Sequence, residues 1–190
     1  MADNAEQGFK TLFLTELTDV TTATVGDTEG VGVLRQEGDR FYRWVKNLES
    51  TAFTAGQAVV YEIAEGADYH KGVGDPVTAN LNTMAGIAMG AIPALGFGWI
   101  QIEGYYGSIQ VSAGKTSVAV GINYYPANAV EYLVGAAQNS ANITMASDAT
   151  NVAQFQGCLA PRVQLAISIA SSEATGGTTS AGGWIHCLGI

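Results

Sequence analysis

Few residues in this chain have the type and spacing that chemistry requires. Gly114-Lys115-Thr116-Ser117 has the form of the end of a phosphate-binding loop, but the glycine needed five residues earlier is Ile109. The residues that follow favour a strand over a helix whose N-terminus would face phosphate, so the motif is set aside. Asp68 and His70 could share a strand face as metal ligands, yet no third ligand stands at a recognisable spacing, and His186 is far away in the sequence. Neither a G-x-S-x-G elbow nor an H-E-x-x-H pair occurs. Glu62 with Glu65, or Glu103 with an acid on another strand, could do paired-carboxylate work, but a charged fraction of 13% leaves few acids to bury. The expectation is a protein that is not an enzyme and carries no metal or cofactor. Cys158 and Cys187 match no zinc spacing and are expected as two free, buried thiols.

Surfaces are the better candidates. Trp99, Tyr105, Tyr106, Tyr124, Tyr125 and Trp184 could form a sugar-stacking or subunit-facing surface, or simply pack a β core. Four of the eight bases, Arg35, Arg40, Arg43 and Lys46, fall within twelve residues, as a patch for an acidic partner or as one solvated strand face. Seventeen acids against those eight bases give a formal charge of −9, which argues against nucleic acid or an anionic membrane as partner. No apolar run reaches the roughly 18 residues of a membrane helix. Met1–Glu6 lacks the basic and apolar regions of a secretory signal, so synthesis and retention in a cytoplasm, or release by lysis, is expected. Without such a signal, the glycosylation acceptor Asn142-Ile143-Thr144 reads as accidental.

These residues must be positioned by strands. Ala85–Val111 reads as a three-strand meander, turning at Pro93–Gly96 and again at Gly104-Tyr105-Tyr106-Gly107; Ile100 and Ile102 alternate with Trp99, Gln101 and Glu103. Residues 32–48 read as a hairpin about Glu37-Gly38-Asp39, with Phe41, Arg43 and Val45 opposing Tyr42, Trp44 and Lys46. Thr51–Tyr61 aligns on Thr116–Pro126 as a weak repeat that superposes Gly56 on Gly121. The polar run Glu65–Asp75 reads as an exposed loop, and Ala129–Ala137 as one short helix. Arg162–Ile169 alternates cleanly as a strand and is expected to pair with a terminal strand, Trp184–Ile190. The fold class is therefore mainly β, a compact β-barrel or β-sandwich with little helix. Residues 1–31, with the apolar cluster Phe9, Leu12, Phe13 and Leu14, form an extended N-terminal arm; residues 32–190 form the core, with loop insertions at about 127–150 and 171–183.

In order, GVLRQEGDRFYRWVKN, TAGQAVVY, AGIAMGAIPALGFGWIQIEGYYGSIQV, VAVGINYY and FQGCLAPRVQLAISI resemble the head decoration, or capsid cement, proteins of tailed phages. Glycine-led runs at Ala85–Ala88 and Gly98–Gly104 carry the likeness, which covers roughly residues 32–170; segments 127–150 and 171–183 lie outside any shared pattern. The resemblance implies a β-barrel or sandwich that assembles as a homotrimer on the outer capsid surface of the virion and bridges copies of the major capsid protein through an arm or loops. No functional residue carries over from the family. Phe9, Leu12 and Phe13 of the arm, with Arg35, Arg40, Arg43 and Lys46, are the candidate capsid contacts. The competing reading is a virion-surface carbohydrate-binding or host-adhesion module, with Trp99, Tyr105 and Tyr106 as its surface aromatics.

Overall fold

Alternating apolar residues along 40–47 and 97–112 generate the two strands on which everything else is laid. In the computed structural model the described residues are 13–62, 71–76, 83–112, 123–126, 133–135, 162–167 and 178–187. They form eleven strands: β1 Val20–Thr21, β2 Leu34–Glu37, β3 Arg40–Asn47, β4 Ala58–Tyr61, β5 Gly72–Gly74, β6 Met84–Ala88, β7 Phe97–Ser112, β8 Asn123–Pro126, β9 Leu133–Gly135, β10 Arg162–Ile167 and β11 Thr178–His186. The chain is mainly β, as its alternation predicts. The expected hairpin is β2–β3, closed by Gly38 and Asp39, with Gly38 at φ +63° in the first loop position, where a primed turn needs the left-handed region.

All the strands belong to one mixed sheet, and its order returns to β7 twice. One circuit runs β7–β3–β5–β4–β6 and back to β7; the other runs β7–β11–β10–β8–β9 and back. Each contains one parallel pairing, β3 with β5 and β7 with β9. Closure of this kind pairs each strand of a circuit on both sides, which is how a small β domain protects its backbone hydrogen bonds; β2 lies outside the circuits. The two halves of the weak repeat fall in different circuits. They contain β4 and β8, each two strands removed from β7 in its own circuit.

β7 corrects the meander. Gly104-Tyr105-Tyr106-Gly107 does not turn the chain; β6 and β7 are two strands, and β7 runs unbroken for 16 residues. The strand accommodates its length by bulging. Its register against β3 shifts between Phe41 and Tyr42, and against β11 between Ala181 and Gly183. Gly104 sits between the two shifts at φ +98°, and a Cβ there would crowd the Asp39 carbonyl at 2.9 Å. The glycine therefore bends the strand rather than ending it.

Three further expectations are revised. Gly72–Gly74 of the supposed exposed loop is a buried strand, because β3 and β4 both need a partner there; residues 63–70 lie outside the described set. Leu133–Gly135 is strand β9, paired with β8 and β7, where a helix over 129–137 was expected. Most of the 127–150 insertion lies outside the described residues. The terminal strand starts earlier than its tryptophan, so Thr178–Gly183 is strand and not loop, while β10 and β11 do pair as expected.

The core has three parts. Val45, Val59, Tyr61, Val73, Ala85, Ile100 and Ile102 point into the first circuit. Ala58 and Ile87, on strands of the first circuit, pack with Ile109, Val111, Tyr124, Leu133 and Ile185 of the second. On the outer side of β3 and β7, Tyr42, Trp44, Phe97 and Trp99 are covered by Phe13, Leu17, Val31 and Val33. Burying each large side chain contributes about 2–3 kcal/mol, so both faces of β3 and β7 matter to stability.

Candidate functional site

Residues 13–31 determine which surface remains for function. This part of the arm is laid along its own sheet: β1 pairs with the start of β7, Val20 opposite Gly98 and Thr21 opposite Phe97. Glu29, buried, accepts hydrogen bonds from the Leu14 and Thr15 amides and the Thr15 hydroxyl, each at 2.7 Å. Asp27 accepts from the Trp44 indole at 2.9 Å and from the Gly30 and Val31 amides at 2.8 Å. An acidic pair thus orders the segment and lowers it onto the tryptophans.

The candidate contacts separate accordingly. Phe9 and Leu12 lie outside the described residues. Phe13 is half-buried against Trp99, ring centroids 5.4 Å apart and edge-on. Arg35 stacks over Phe13 at 4.9 Å, donates to the Thr15 carbonyl at 2.8 Å and pairs with Glu37. Arg40 is exposed and Lys46 half-buried. Arg43 is not available as a contact. Strand alternation turns it, with Val45, into the first circuit, where it is 5% exposed and donates to the Tyr61 hydroxyl at 2.8 Å; its Nε has no partner among the described residues. The basic cluster is therefore split across two faces of one hairpin and is not a patch.

The aromatics divide as well. Trp99, expected at the surface, is fully buried between Phe13 and Trp44, because the segment covers the face that alternation assigns to polar residues. Tyr106 is half-buried against the second-circuit core, and burial first, with the Tyr42 phenol second, pushes its hydroxyl above the usual tyrosine range. At neutral pH it is a packing group and not a base. Tyr105 lies opposite Trp184 across β7 and β11, rings edge-on at 6.0 Å, and Trp184 is 46% exposed. Glu103 faces His186 in the adjoining pair, with Oε1 and Nδ1 3.9 Å apart. Sequence reasoning named Trp184 and Glu103 separately; what it lacked was the β7–β11 register that sets them side by side.

Exposed apolar residues are the other feature of the surface. Among the described residues the large ones are Leu14, Val25, Leu34, Leu95 and Trp184. The first four belong to the docked segment, to β2, or to the β6–β7 loop that the segment touches; a Cβ on Gly96 of that loop would overlap the Thr21 carbonyl. Leu95 is 48% exposed and held at φ +54°, a conformation uncommon outside glycine. β2 itself pairs with β3 alone among the described strands.

No group of three or more His, Cys, Asp or Glu side chains able to hold a metal occurs among the described residues. Nor, among them, is any helix long and apolar enough to cross a membrane. Cys187 is a free, buried thiol whose pKa burial pushes up to about 12; Cys158 lies outside the described residues. A Cys158→Ser protein, with Cys187 its one thiol, should take up no maleimide at pH 8 while folded and one equivalent in denaturant. Labelling of the folded protein would contradict this burial. No protein-family profile, curated protein or solved structure matches the chain.

Proposed function

We propose that this chain is a non-enzymatic structural protein that decorates the outer surface of a phage head, binding the major capsid protein and bridging neighbouring capsid subunits. It is made in the host cytoplasm and acts on the virion. The observation that supports this reading is β2, which pairs with β3 alone among the described strands and carries the exposed Leu34, in a molecule that also exposes Leu14, Val25 and Leu95. A sheet edge flanked by exposed apolar side chains accepts an added strand from a partner, main chain supplying affinity and side chains the register. Many such attachments around a shell add through multivalency, and a charge of −9 keeps decorated particles apart. The resemblance in the sequence points the same way, and the assembly it implies is a homotrimer.

The test is co-sedimentation with expanded heads. Removing residues 1–30 would uncover Trp44 and Trp99, so the informative truncation removes 1–12 only. Leu14→Asp combined with Leu34→Asp should lower head occupancy at subsaturating protein by about tenfold. Its melting temperature should stay near that of the parent, since exposed substitutions usually move stability by less than about 0.5 kcal/mol. Unchanged occupancy would remove this face from the attachment. Light scattering tests the assembly: three chains of 19.7 kDa give about 59 kDa.

A further inference from the structure

We propose that the outward face of β7 and β11 is a carbohydrate platform that takes one neutral hexopyranose ring of a glycan. The proposal is independent of the capsid reading, because it uses different strands and none of the same residues.

The three tryptophans show why this place differs from the rest of the molecule. Trp44 donates its indole N–H to Asp27, and Trp99 donates to the Thr15 hydroxyl at 2.9 Å. Trp184 is 46% exposed, and among the described residues its N–H has no acceptor. Its neighbour is held to match. A Cβ on Gly182 would overlap the Tyr105 hydroxyl, so the glycine leaves the room in which the Tyr105 ring lies along β11 beside Trp184. Gln101, buried on the same strand, donates to the Glu103 and Tyr105 carbonyls at 3.1 and 3.2 Å, bracing the backbone around Gly104. Gln101 is thus a positioning residue for the bent stretch that presents both Glu103 and Tyr105.

Polar groups adjoin the rings. Glu103 and His186 form the next cross-strand pair, with side chains 42% and 64% exposed, and at 3.9 Å each keeps hydrogen-bonding capacity for another partner. An indole face offers negative potential to the polarised C–H bonds of a pyranose, while a carboxylate accepts from vicinal hydroxyls and an imidazole donates to or accepts from another. That combination of one stacking surface and adjacent hydroxyl partners is the chemistry of sugar recognition.

Size and charge select the occupant. A stable protein interface needs about 800 Å² on each side, with an apolar centre. Among the described residues none of the other four exposed large apolar side chains lies on β7 or β11, so the described apolar area there is one exposed indole and one half-buried phenol ring, the footprint of a single sugar. Glu103 within a chain of charge −9 favours a neutral sugar over a sialic or uronic acid.

The experiment is saturation-transfer NMR on the full chain with lactose and cellobiose, each titrated for affinity. Saturable binding of at least one disaccharide, with a dissociation constant in the millimolar range, is expected. Trp184→Ala should weaken it at least about tenfold and Glu103→Gln several-fold, while Trp184→Phe retains most of it. Gln101→Ala tests positioning: it should weaken sugar binding without removing any sugar-contacting group, and Gln101→Asn should not restore it, being too short to reach both carbonyls. Far-UV circular dichroism and melting of Trp184→Ala should match the parent, because the side chain is half in solvent. Saturation of neither sugar, or binding that survives Trp184→Ala, overturns the proposal. So does a self-associated species that Trp184→Ala dissociates, which would assign the face to a second copy of the chain.

Discussion

Gly56→Ala is expected to cost about 3–5 kcal/mol, read as a lower urea midpoint with little change in slope. Two penalties coincide at this residue. Its φ is +84°, where an L side chain is strained, and a Cβ would overlap the Ser108 carbonyl oxygen, a backbone atom that cannot rotate away. The position also joins the two circuits. The Gly56 amide donates to the Ala88 carbonyl at 2.8 Å, the Gln110 amide donates to the Gly56 carbonyl at 2.9 Å, and the Gln110 side chain bonds to Thr54 and Ala55. Displacing this turn separates the second half of β7 from the first circuit. Two other glycines calibrate the result. Gly38→Ala meets nothing within 4 Å but has φ +63°, so it should cost about 1 kcal/mol; Gly107→Ala meets nothing and carries no positive φ, so it should be near neutral. An order other than Gly56, Gly38, Gly107, or a Gly56→Ala loss under about 1 kcal/mol, would show that the turn yields easily.

The contrast between Gly56 and Gly104 explains what the sequence could convey. Both stand in the sequence where a turn is plausible. Gly56 does lie in a turn, the one that precedes β4, so local spacing was enough. Gly104 also has a positive φ and a glycine-rich setting, yet the strand continues through it because β3 and β11 hold it from both sides. Turn chemistry is local; whether a glycine turns a chain or only bulges it depends on partners distant in sequence. The same limit governs the basic cluster. Alternation along β3 correctly separated Arg43 from Trp44, but which side was the interior depended on closure through β5, a three-residue strand hidden in a polar run. For the candidate sugar platform, types were legible and adjacency was not: Tyr105 and Trp184 stand 79 positions apart in the sequence, and only the β7–β11 register unites them.

Trp99 brings this limit to a measurement. Period-two alternation sets it with Gln101 and Glu103, apparently on a solvent face, and an aromatic there invites a binding role. The docked segment reverses that expectation. Trp99 is fully buried, edge-on to Phe13 at 5.4 Å and to Trp44 at 5.3 Å, with its indole N–H on the Thr15 hydroxyl and the Arg35 guanidinium 5.7 Å from its ring. Trp99→Ala should therefore cost about 3–5 kcal/mol, lowering the melting temperature by about 6–20 °C for a chain of this size. The loss should have a local signature. With its floor removed, the segment held by Glu29 loosens first, so protease cleavage within residues 13–31 should rise before global unfolding, and Trp44 emission should shift to the red. Trp99→Phe keeps the ring contacts and loses the indole bond to Thr15, so it should recover more than half of the stability. The pair also separates fold from function. Loss of glycan binding in Trp99→Ala with the melting temperature intact would return this tryptophan to the surface, whereas a large loss of stability places it beneath the segment and leaves Trp184 as the ring a sugar can reach.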